Sequence, residues 1–259
     1  TLKNIPEIED VGVMLDVLRY LGATVESPAA HTWVIDPRGI TRSDVPVEFA
    51  KKVRASILFA GPLLARFGEA TLPPPGGDTI GRRRIDTHLI ALQELGARIK
   101  VDGFLRFSAP SLEGARIFLD EASVTGTENA VMAAALAKGT TVLRNAASEP
   151  HVQDLCRMLV SMGVKIEGIG SNVLTIHGAK ELMGTVFSIG PDFMEIGSFI
   201  GLAAVTHGEI FIDGIEPEDL PPLQVGFSRL GISWEVQGDS LFVPRSEEHT
   251  SELQSPNTN

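Results

Sequence analysis

The stretch LIALQELGARIKV, Leu89 to Val101, is one copy of a repeated pattern that sets the fold. Apolar residues at helical spacing lead up to Gly96, and alternating apolar residues follow it. A glycine at that point ends a helix in a left-handed conformation, and the alternation predicts a strand. The pattern returns three times, in Met14–Glu26, Leu155–Gly168 and Leu223–Val236, with glycines at positions 22, 163 and 231.

A second, more apolar helical pattern alternates with the first. It occurs in RASILFAGPLLARFGEATL (Arg54–Leu72), NAVMAAALAKGTTVLRNA (Asn129–Ala146) and EIGSFIGLAAVTHGEIFIDGI (Glu195–Ile215). Each segment is apolar nearly all round, so we expect helices that are buried on every side. We expect each helix to end at a glycine and to lead into a strand; these glycines are Gly68, Gly139 and Gly208. One repeat of about seventy residues therefore holds a buried helix, a strand, an amphipathic helix and another strand.

These repeats predict an α/β fold with buried helices inside and sheets outside, the reverse of the usual layering. Three repeats with approximate threefold symmetry would close one domain. We expect residues 1–190 to form this first domain, which lacks its start, and residues 191–244 to form part of a second. Residues 245–259 show no apolar periodicity and look like a non-native tail.

Composition limits the function classes. The formal net charge of −11 argues against an extended nucleic-acid groove. The single cysteine, Cys156, lies in the apolar stripe of a helical pattern, which predicts a buried structural thiol. The six histidines show no metal-binding spacing, so we expect no metal site. With no signal peptide and no apolar run of membrane-spanning length, we expect a cytoplasmic protein that does not bind membranes.

The loop PPPGGDTIGRRRID, Pro73 to Asp86, predicts an anion-binding site. Gly76 and Gly77 give its backbone freedom to bend, and Asp78 stands at its tip. The three arginines at positions 82 to 84 suit planar, bidentate recognition of phosphate, and a nearby carboxyl group can transfer protons. The same composition also fits a surface loop whose charges are only solvated.

Together with the repeat, several segments resemble the enolpyruvyl transferase family. They are NIPEIEDV (Asn4–Val11), RASILFAGPLLARFG (Arg54–Gly68), PGGDTIGRRRIDTHL (Pro75–Leu89), EASVTGTENAVMAAALAKGTT (Glu121–Thr141), AASEPHVQDL (Ala146–Leu155) and PDFMEIGSF (Pro191–Phe199). The resemblance implies a pair of inside-out α/β barrels with the active site in the cleft between them.

The implied reaction transfers enolpyruvate from phosphoenolpyruvate to the 3-hydroxyl of UDP-N-acetylglucosamine and releases phosphate, the first committed step of peptidoglycan synthesis. It needs no cofactor. Two alternatives stay open: the sister enzyme of the shikimate pathway, whose acceptor is a sugar-like phosphate, and a non-catalytic repeat scaffold. The PGGxTIGxR pattern argues against the first, and the Gly-Gly-Asp tip beside three arginines argues against the second.

The resemblance also assigns roles to loop residues. Asp78 stands where many family members carry cysteine, and we expect it to be the general acid. Because a carboxylate lacks the thiolate that fosfomycin alkylates, the resemblance implies insensitivity to that drug. Arg83 and Arg54 match arginines of the anion pocket. For Arg54, the alternative is an internal ion pair.

The acceptor nucleotide sugar is expected to contact two further segments. Arg84, Ile85, Asp86 and Thr87 match the family's segment around the uridine. Ser123, Val124 and Thr125 match the segment that binds the diphosphate at a helix start. For the second segment, an ordinary N-cap is an equally good interpretation.

The sequence departs from the family pattern at several points. Glu121 stands where a lysine commonly lies beside the diphosphate, so we leave it out of the site. The family's upstream Lys-Asn pair is absent, and the aspartate thought to act as base, with a further arginine, would lie beyond residue 244. We therefore expect the chain as given to be inactive.

Overall fold

The computed structural model describes residues 1–77, 81 and 84–245. The described α-helices are α1 (Glu9–Leu21), α2 (Val47–Ala50), α3 (Ala60–Phe67), α4 (Asp86–Glu94), α5 (Val124–Ala134), α6 (Pro150–Ser161), α7 (Phe193–Val205) and α8 (Pro221–Arg229). Short 3-10 helices span Pro37–Gly39, Arg54–Phe59 and Pro217–Asp219. The described strands are β1 (Leu2–Lys3), β2 (Thr24–Ala29), β3 (Thr32–Asp36), β4 (Glu69–Leu72), β5 (Arg98–Val101), β6 (Leu105–Ser108), β7 (Arg116–Phe118), β8 (Thr140–Arg144), β9 (Lys165–Glu167), β10 (Val173–His177), β11 (Phe187–Ser188), β12 (Ile210–Asp213), β13 (Glu235–Gln237) and β14 (Ser240–Val243).

The chain divides into two compact units, Thr1–Ile189 and Gly190–Asn259. The first holds three sheets, with strand orders β11-β1-β3-β2, β4-β6-β5 and β7-β8-β10-β9. The second holds the sheet β12-β14-β13. The assignment of these units to a first transferase domain and part of a second stays a prediction.

Helices occupy the interior of the first unit. In α3 and α5, Leu64 and Val131 are almost fully buried, because these helices pack on each other and are enclosed by their neighbours. The sheets present one apolar face inward. In the antiparallel pair β4–β6, buried Ala70 lies opposite buried Phe107, and in β8–β10 buried Leu143 lies opposite buried Leu174. The predicted layering, with helices inside and sheets outside, is therefore present.

Glycines end the amphipathic helices as the repeat predicts. The glycines after α1, α4, α6 and α8 all have positive φ, and they are Gly22, Gly96, Gly163 and Gly231. At Gly22, a β-carbon would also lie 2.3 Å from the carbonyl oxygen of Gly39, so this site has no room for a side chain.

The predicted ends of the more apolar helices are partly wrong. Gly68 caps α3 in the left-handed conformation. In contrast, α5 ends at Ala134, well before Gly139, and after α7 the left-handed residue is His207 instead of Gly208. Arg54 begins a 3-10 helix, and the α-helix starts only at Ala60. Pro62 explains this start, because a proline is tolerated in a first turn but removes a hydrogen bond from a helix interior.

The expectation that α7 is buried on every side is also wrong. One face packs in a core with α8 and the strands of its sheet, through Ile196, Ile200 and Ala203. On the other face, Leu202 and Val205 are 52% and 76% exposed. The described elements of this unit cover only one side of the helix, whereas α5 in the first unit is covered all round.

Cys156 on α6 is buried, as predicted. Burial is the main cause that raises the pKa of its thiol to about 11, so the thiol stays protonated and unreactive at neutral pH. None of the helices within residues 1–77 and 84–245 combines the length and apolarity needed to cross a bilayer.

Candidate active site

A chain of polar contacts gathers the described residues of the predicted site. Nη2 of Arg54 donates to the carbonyl oxygen of Arg84 at 2.7 Å. The Arg84 guanidinium contacts Asp120 at 3.2 Å, and Asp120 accepts a 2.7 Å hydrogen bond from Thr87. The N-terminal ends of α4 and α5 therefore meet the start of the 3-10 helix Arg54–Phe59. The Thr125 hydroxyl on α5 also contacts His88 on α4.

Two of the predicted residues, Asp78 and Arg83, lie outside the described residues, as do Thr79, Ile80 and Arg82. The proposed general acid and one of the two pocket arginines therefore stay predictions. Arg54, the other arginine predicted to lie in the anion pocket, is half-buried beside the backbone of residue 84.

Gly76 and Gly77 are held tightly at the entry of the loop. Their N–H groups donate to the carbonyl oxygens of Ala50 and Lys51, at 2.8 and 3.2 Å. Gly77 has a φ of +89°, and a β-carbon there would lie 3.1 Å from the Arg54 nitrogen. The glycine pair was predicted to free the backbone to bend, but here it allows the close approach of two backbones. It ties the loop entry to the segment that begins with Arg54.

Gly76→Ala is expected to destabilise the protein. The new β-carbon would lie 1.9 Å from the Lys51 carbonyl oxygen, and this neighbour is backbone that cannot rotate away. We expect a loss of about 2 kcal/mol in the free energy of unfolding, measured by urea denaturation. Gly184→Ala is the matched control, because no atom lies within 4 Å of a β-carbon built there. Equal stability of the two variants would contradict the close packing.

The segment predicted to surround the uridine is internally paired. Arg84 Nε lies 2.7 Å from Oδ2 of Asp86, the first residue of α4, where a carboxylate favours the helix dipole. The hydrogen bond that Arg84 donates to Asp86, and next the charges of Asp86, Asp120 and Glu121, raise the pKa of Arg84 above its ordinary value. Glu121, which we did not expect in the site, therefore lies close enough to Arg84 to affect the pKa of its guanidinium. Ile85 is the N-cap residue of α4 and packs against the core.

The start of α5 has the features of both interpretations, an N-cap and a helix start suited to a diphosphate. Ser123 is its N-cap, and the serine Oγ accepts a hydrogen bond from the Gly126 N–H at 3.2 Å. The first helical hydrogen bond runs from Thr127 N–H to the Ser123 carbonyl, so the N–H groups of Val124 and Thr125 precede it. Such groups suit a phosphate oxygen. The N-cap interpretation is confirmed, and the binding role stays a prediction.

Sequence reasoning missed a buried polar network beneath this helix start. Asn129 Nδ2 lies 3.1 Å from Nδ1 of His88, and Nε2 of His88 lies 3.1 Å from the Thr125 hydroxyl. His88 is 2% exposed. Burial, and next the charge of Arg54, lower the pKa of His88 to about 4, so the ring is neutral at pH 7. A signal was present, because His88 shares the buried face of α4 with Ala91 and Leu92.

Glu128 on α5 is a second titratable group that the sequence did not reveal. Burial, and then the nearby Glu149 carboxylate, raise its pKa to about 7. Because the pKa is higher in the folded state, Glu128 contributes stability below pH 4.5, and this contribution is lost as the pH rises through 7.

Glu128→Gln is therefore expected to gain stability over the parent as the pH rises from 5 to 8, by roughly 2 kcal/mol. His88, whose pKa is lowered, titrates in the opposite sense over an overlapping range, so the difference between variant and parent is the quantity to measure by urea denaturation. The exposed Glu94→Gln serves as control. A difference that does not change with pH would contradict the raised pKa.

Among residues 1–77, 81 and 84–245, no three His, Cys, Asp or Glu side chains are grouped as metal ligands. The chemistry that the described cluster supports is the binding of an anion by guanidinium, hydroxyl and helix N-terminal N–H groups.

The sequence profile of the family described as EPSP synthase (3-phosphoshikimate 1-carboxyvinyltransferase) matches residues 1–253. The chain belongs to the EPSP synthase family. The resemblance to enolpyruvyl transferases, drawn from the sequence segments, is confirmed.

Similar curated proteins carry a different name from the family profile. Two proteins named UDP-N-acetylglucosamine 1-carboxyvinyltransferase are 60% identical over 243 residues, in Treponema denticola, and 54% identical over 247 residues, in Treponema pallidum. The matches cover 94% and 95% of this chain. They cover 57% and 58% of those relatives, so the chain spans somewhat more than half of their length.

Solved structures of an enolpyruvyl transferase and of an EPSP synthase share the fold. The enolpyruvyl transferase NikO from Streptomyces tendae matches with a TM-score of 0.81 at 23% identity, over 95% of this chain and 60% of that one. An EPSP synthase from Acinetobacter baumannii matches with a TM-score of 0.69 at 17% identity, over 95% and 58%. The predicted enolpyruvyl transferase-like α/β fold is confirmed.

Proposed function

We propose that this chain is part of an enzyme that transfers enolpyruvate from phosphoenolpyruvate to the 3-hydroxyl of UDP-N-acetylglucosamine. The observation that carries the proposal is the agreement between relatives of that name at 54–60% identity and a cluster suited to bind phosphate. The substrates are small anionic molecules, without a nucleic-acid or membrane partner, and the reaction takes place in the cytoplasm. The net charge of −11 supports a small anion at a local basic cluster over a polymer.

The proposed chemistry divides the work between the loop and two helix starts. Asp78 donates a proton to the methylene carbon of phosphoenolpyruvate, while the sugar oxygen bonds to the adjacent carbon and its proton passes to a base. In the resulting tetrahedral adduct, the bond from carbon to the phosphate oxygen breaks, phosphate leaves, and loss of a methyl proton restores the double bond. Arg54 and Arg83 stabilise the charge of the phosphate and carboxylate.

The acceptor is held by the neighbouring segments. The proposal places the diphosphate at the start of α5, at Ser123, Val124 and Thr125, and the uridine along Arg84 to Thr87. The position of Ser123 as N-cap and the two N–H groups that follow it support this assignment.

The sister enzyme that uses shikimate 3-phosphate is the second candidate, because the family profile carries its name. The solved EPSP synthase is only 17% identical, which favours the nucleotide sugar. A thermal-shift comparison on this chain separates the two. We expect UDP-N-acetylglucosamine to raise the unfolding temperature and shikimate 3-phosphate to leave it unchanged. A rise with shikimate 3-phosphate alone would contradict the proposal.

The proposal also predicts insensitivity to fosfomycin in the completed enzyme, meaning this chain extended to the full length of its curated relatives. The drug alkylates a thiolate, and position 78 carries a carboxylate. We expect the completed enzyme to keep its activity after incubation with fosfomycin, and Asp78→Cys to lose it with time. Rapid inactivation of the parent would reject this role of Asp78.

A further inference from the structure

The orientation of the buried Asn129 amide is fixed by backbone groups. Its Oδ1 lies 2.7 Å from the Gly61 nitrogen, which can only donate. Its Nδ2 lies 2.9 Å from the Ile57 carbonyl oxygen, which can only accept. Asn129 is fully buried, so a flipped amide would lose both of these hydrogen bonds without water to replace them. A β-carbon at Gly61 would lie 2.5 Å from Oδ1, so the glycine is what permits this contact.

The amide in turn fixes the tautomer of His88. Nδ2 of Asn129 carries hydrogens and lies 3.1 Å from Nδ1 of the ring, so Nδ1 must be the acceptor and carry no hydrogen. The proton of the neutral ring therefore resides on Nε2, which faces the Thr125 hydroxyl at 3.1 Å. A charged ring would turn a hydrogen of Nδ1 against a hydrogen of Nδ2. The network thus excludes the imidazolium on geometric grounds.

This chain of hydrogen bonds, from Asn129 through His88, ends at the hydroxyl of Thr125. Since Nε2–H donates to it, the threonine oxygen is an acceptor in that bond, and its own proton must point to another acceptor. Thr125 is half-buried and lies in the first turn of α5, beside the N–H groups that precede the first helical hydrogen bond.

We propose that His88 and Asn129 are positioning residues that hold the Thr125 hydroxyl as a hydrogen-bond donor to a phosphate oxygen of the nucleotide-sugar ligand. The inference rests on the proposed function for the identity of the ligand, but the polarity of the network is a property of the chain alone. A neutral His88 also lies near the guanidinium of Arg54 without charge repulsion. The same network therefore orients the Thr125 hydroxyl and avoids placing two positive charges together.

The polarity is tested by nitrogen-15 NMR of the imidazole in this chain without ligand. The expected spectrum shows His88 Nδ1 without a hydrogen and Nε2 with one, unchanged from pH 8 down to pH 5.5. A hydrogen on Nδ1, or an imidazolium at pH 6, would overturn the proposal whatever the chain binds.

The link to the ligand is tested by calorimetric titration with UDP-N-acetylglucosamine. Thr125→Val keeps the shape and removes the hydroxyl, so we expect it to lower the affinity about tenfold, because the lost hydrogen bond is to a charged group. Thr125→Ser keeps the hydroxyl and is expected to restore the parent's affinity. His88→Leu is expected to lower the affinity in the parent background and to have no effect in the Thr125→Val background.

The outcomes separate the two proposals. If the parent binds shikimate 3-phosphate in place of UDP-N-acetylglucosamine, or binds neither, the proposed function fails while the NMR result still decides the polarity of the network. If the parent binds UDP-N-acetylglucosamine and Thr125→Val binds it equally well, the positioning role is overturned and the proposed function stands. An effect of His88→Leu that persists at full size in the Thr125→Val background would assign His88 a purely structural role.

Discussion

Asn129→Leu is expected to cost about 4 kcal/mol in the free energy of unfolding, the largest stability loss that we predict. Leucine has the same number of non-hydrogen side-chain atoms as asparagine, so the change removes hydrogen bonds without leaving a cavity. It leaves the Gly61 N–H and Nδ1 of His88 buried without partners. The cost of such groups is that of taking them out of water, and it exceeds the net value of the bonds themselves.

Urea denaturation followed by circular dichroism measures this loss. Asn172→Leu is the matched control, because Asn172 is exposed and the same substitution there removes no buried contact. We expect the control to lie within about 0.5 kcal/mol of the parent. If both variants had the same midpoint, the network beneath α5 would not contribute to stability, and the account of how α3, α4 and α5 are joined would be wrong.

The second large effect concerns catalysis. In the completed enzyme, Asp78→Asn is expected to lower kcat by about 10²–10⁴-fold, because an amide cannot donate the proton that the methylene carbon requires. The KM for UDP-N-acetylglucosamine should change little, because we propose that other segments bind the nucleotide sugar. The measurement is phosphate release from phosphoenolpyruvate under saturating acceptor.

Asp78→Cys is the control for this role. A thiol can also donate a proton, so we expect this variant to retain substantial activity. If Asp78→Asn were as active as the parent, Asp78 would be a turn residue that caps the loop, and the general acid would have to be sought elsewhere.

The architecture could be predicted well because local patterns in the sequence determine where its helices and strands begin and end. Helix periodicity followed by a left-handed glycine identified α1, α4, α6 and α8, and each glycine has the expected conformation. The errors arose where tertiary contacts determine how much of a helix is buried. Apolar residues all round α7 predict burial, but the exposure of Val205 depends on which elements surround the helix, and hydropathy alone does not contain that information.

The candidate site was predictable to a smaller degree. The arginines and the start of α5 follow from motifs, since charge and capping are local properties. The roles of His88 and Asn129 do not, because they depend on residues 41 positions apart meeting in the core. Gly76 and Gly77 were noticed for a different reason from the one the structure gives. Glycines that bend and glycines that admit a neighbouring backbone have the same sequence signature.

The most direct test of the account is an amide NMR titration of this chain with UDP-N-acetylglucosamine. We expect the largest changes in amide chemical shift to fall on Ser123, Val124 and Thr125 and on the segment from Arg84 to His88. We expect shikimate 3-phosphate not to reproduce them. Changes that lie elsewhere on the chain, or an equal response to shikimate 3-phosphate, would contradict it.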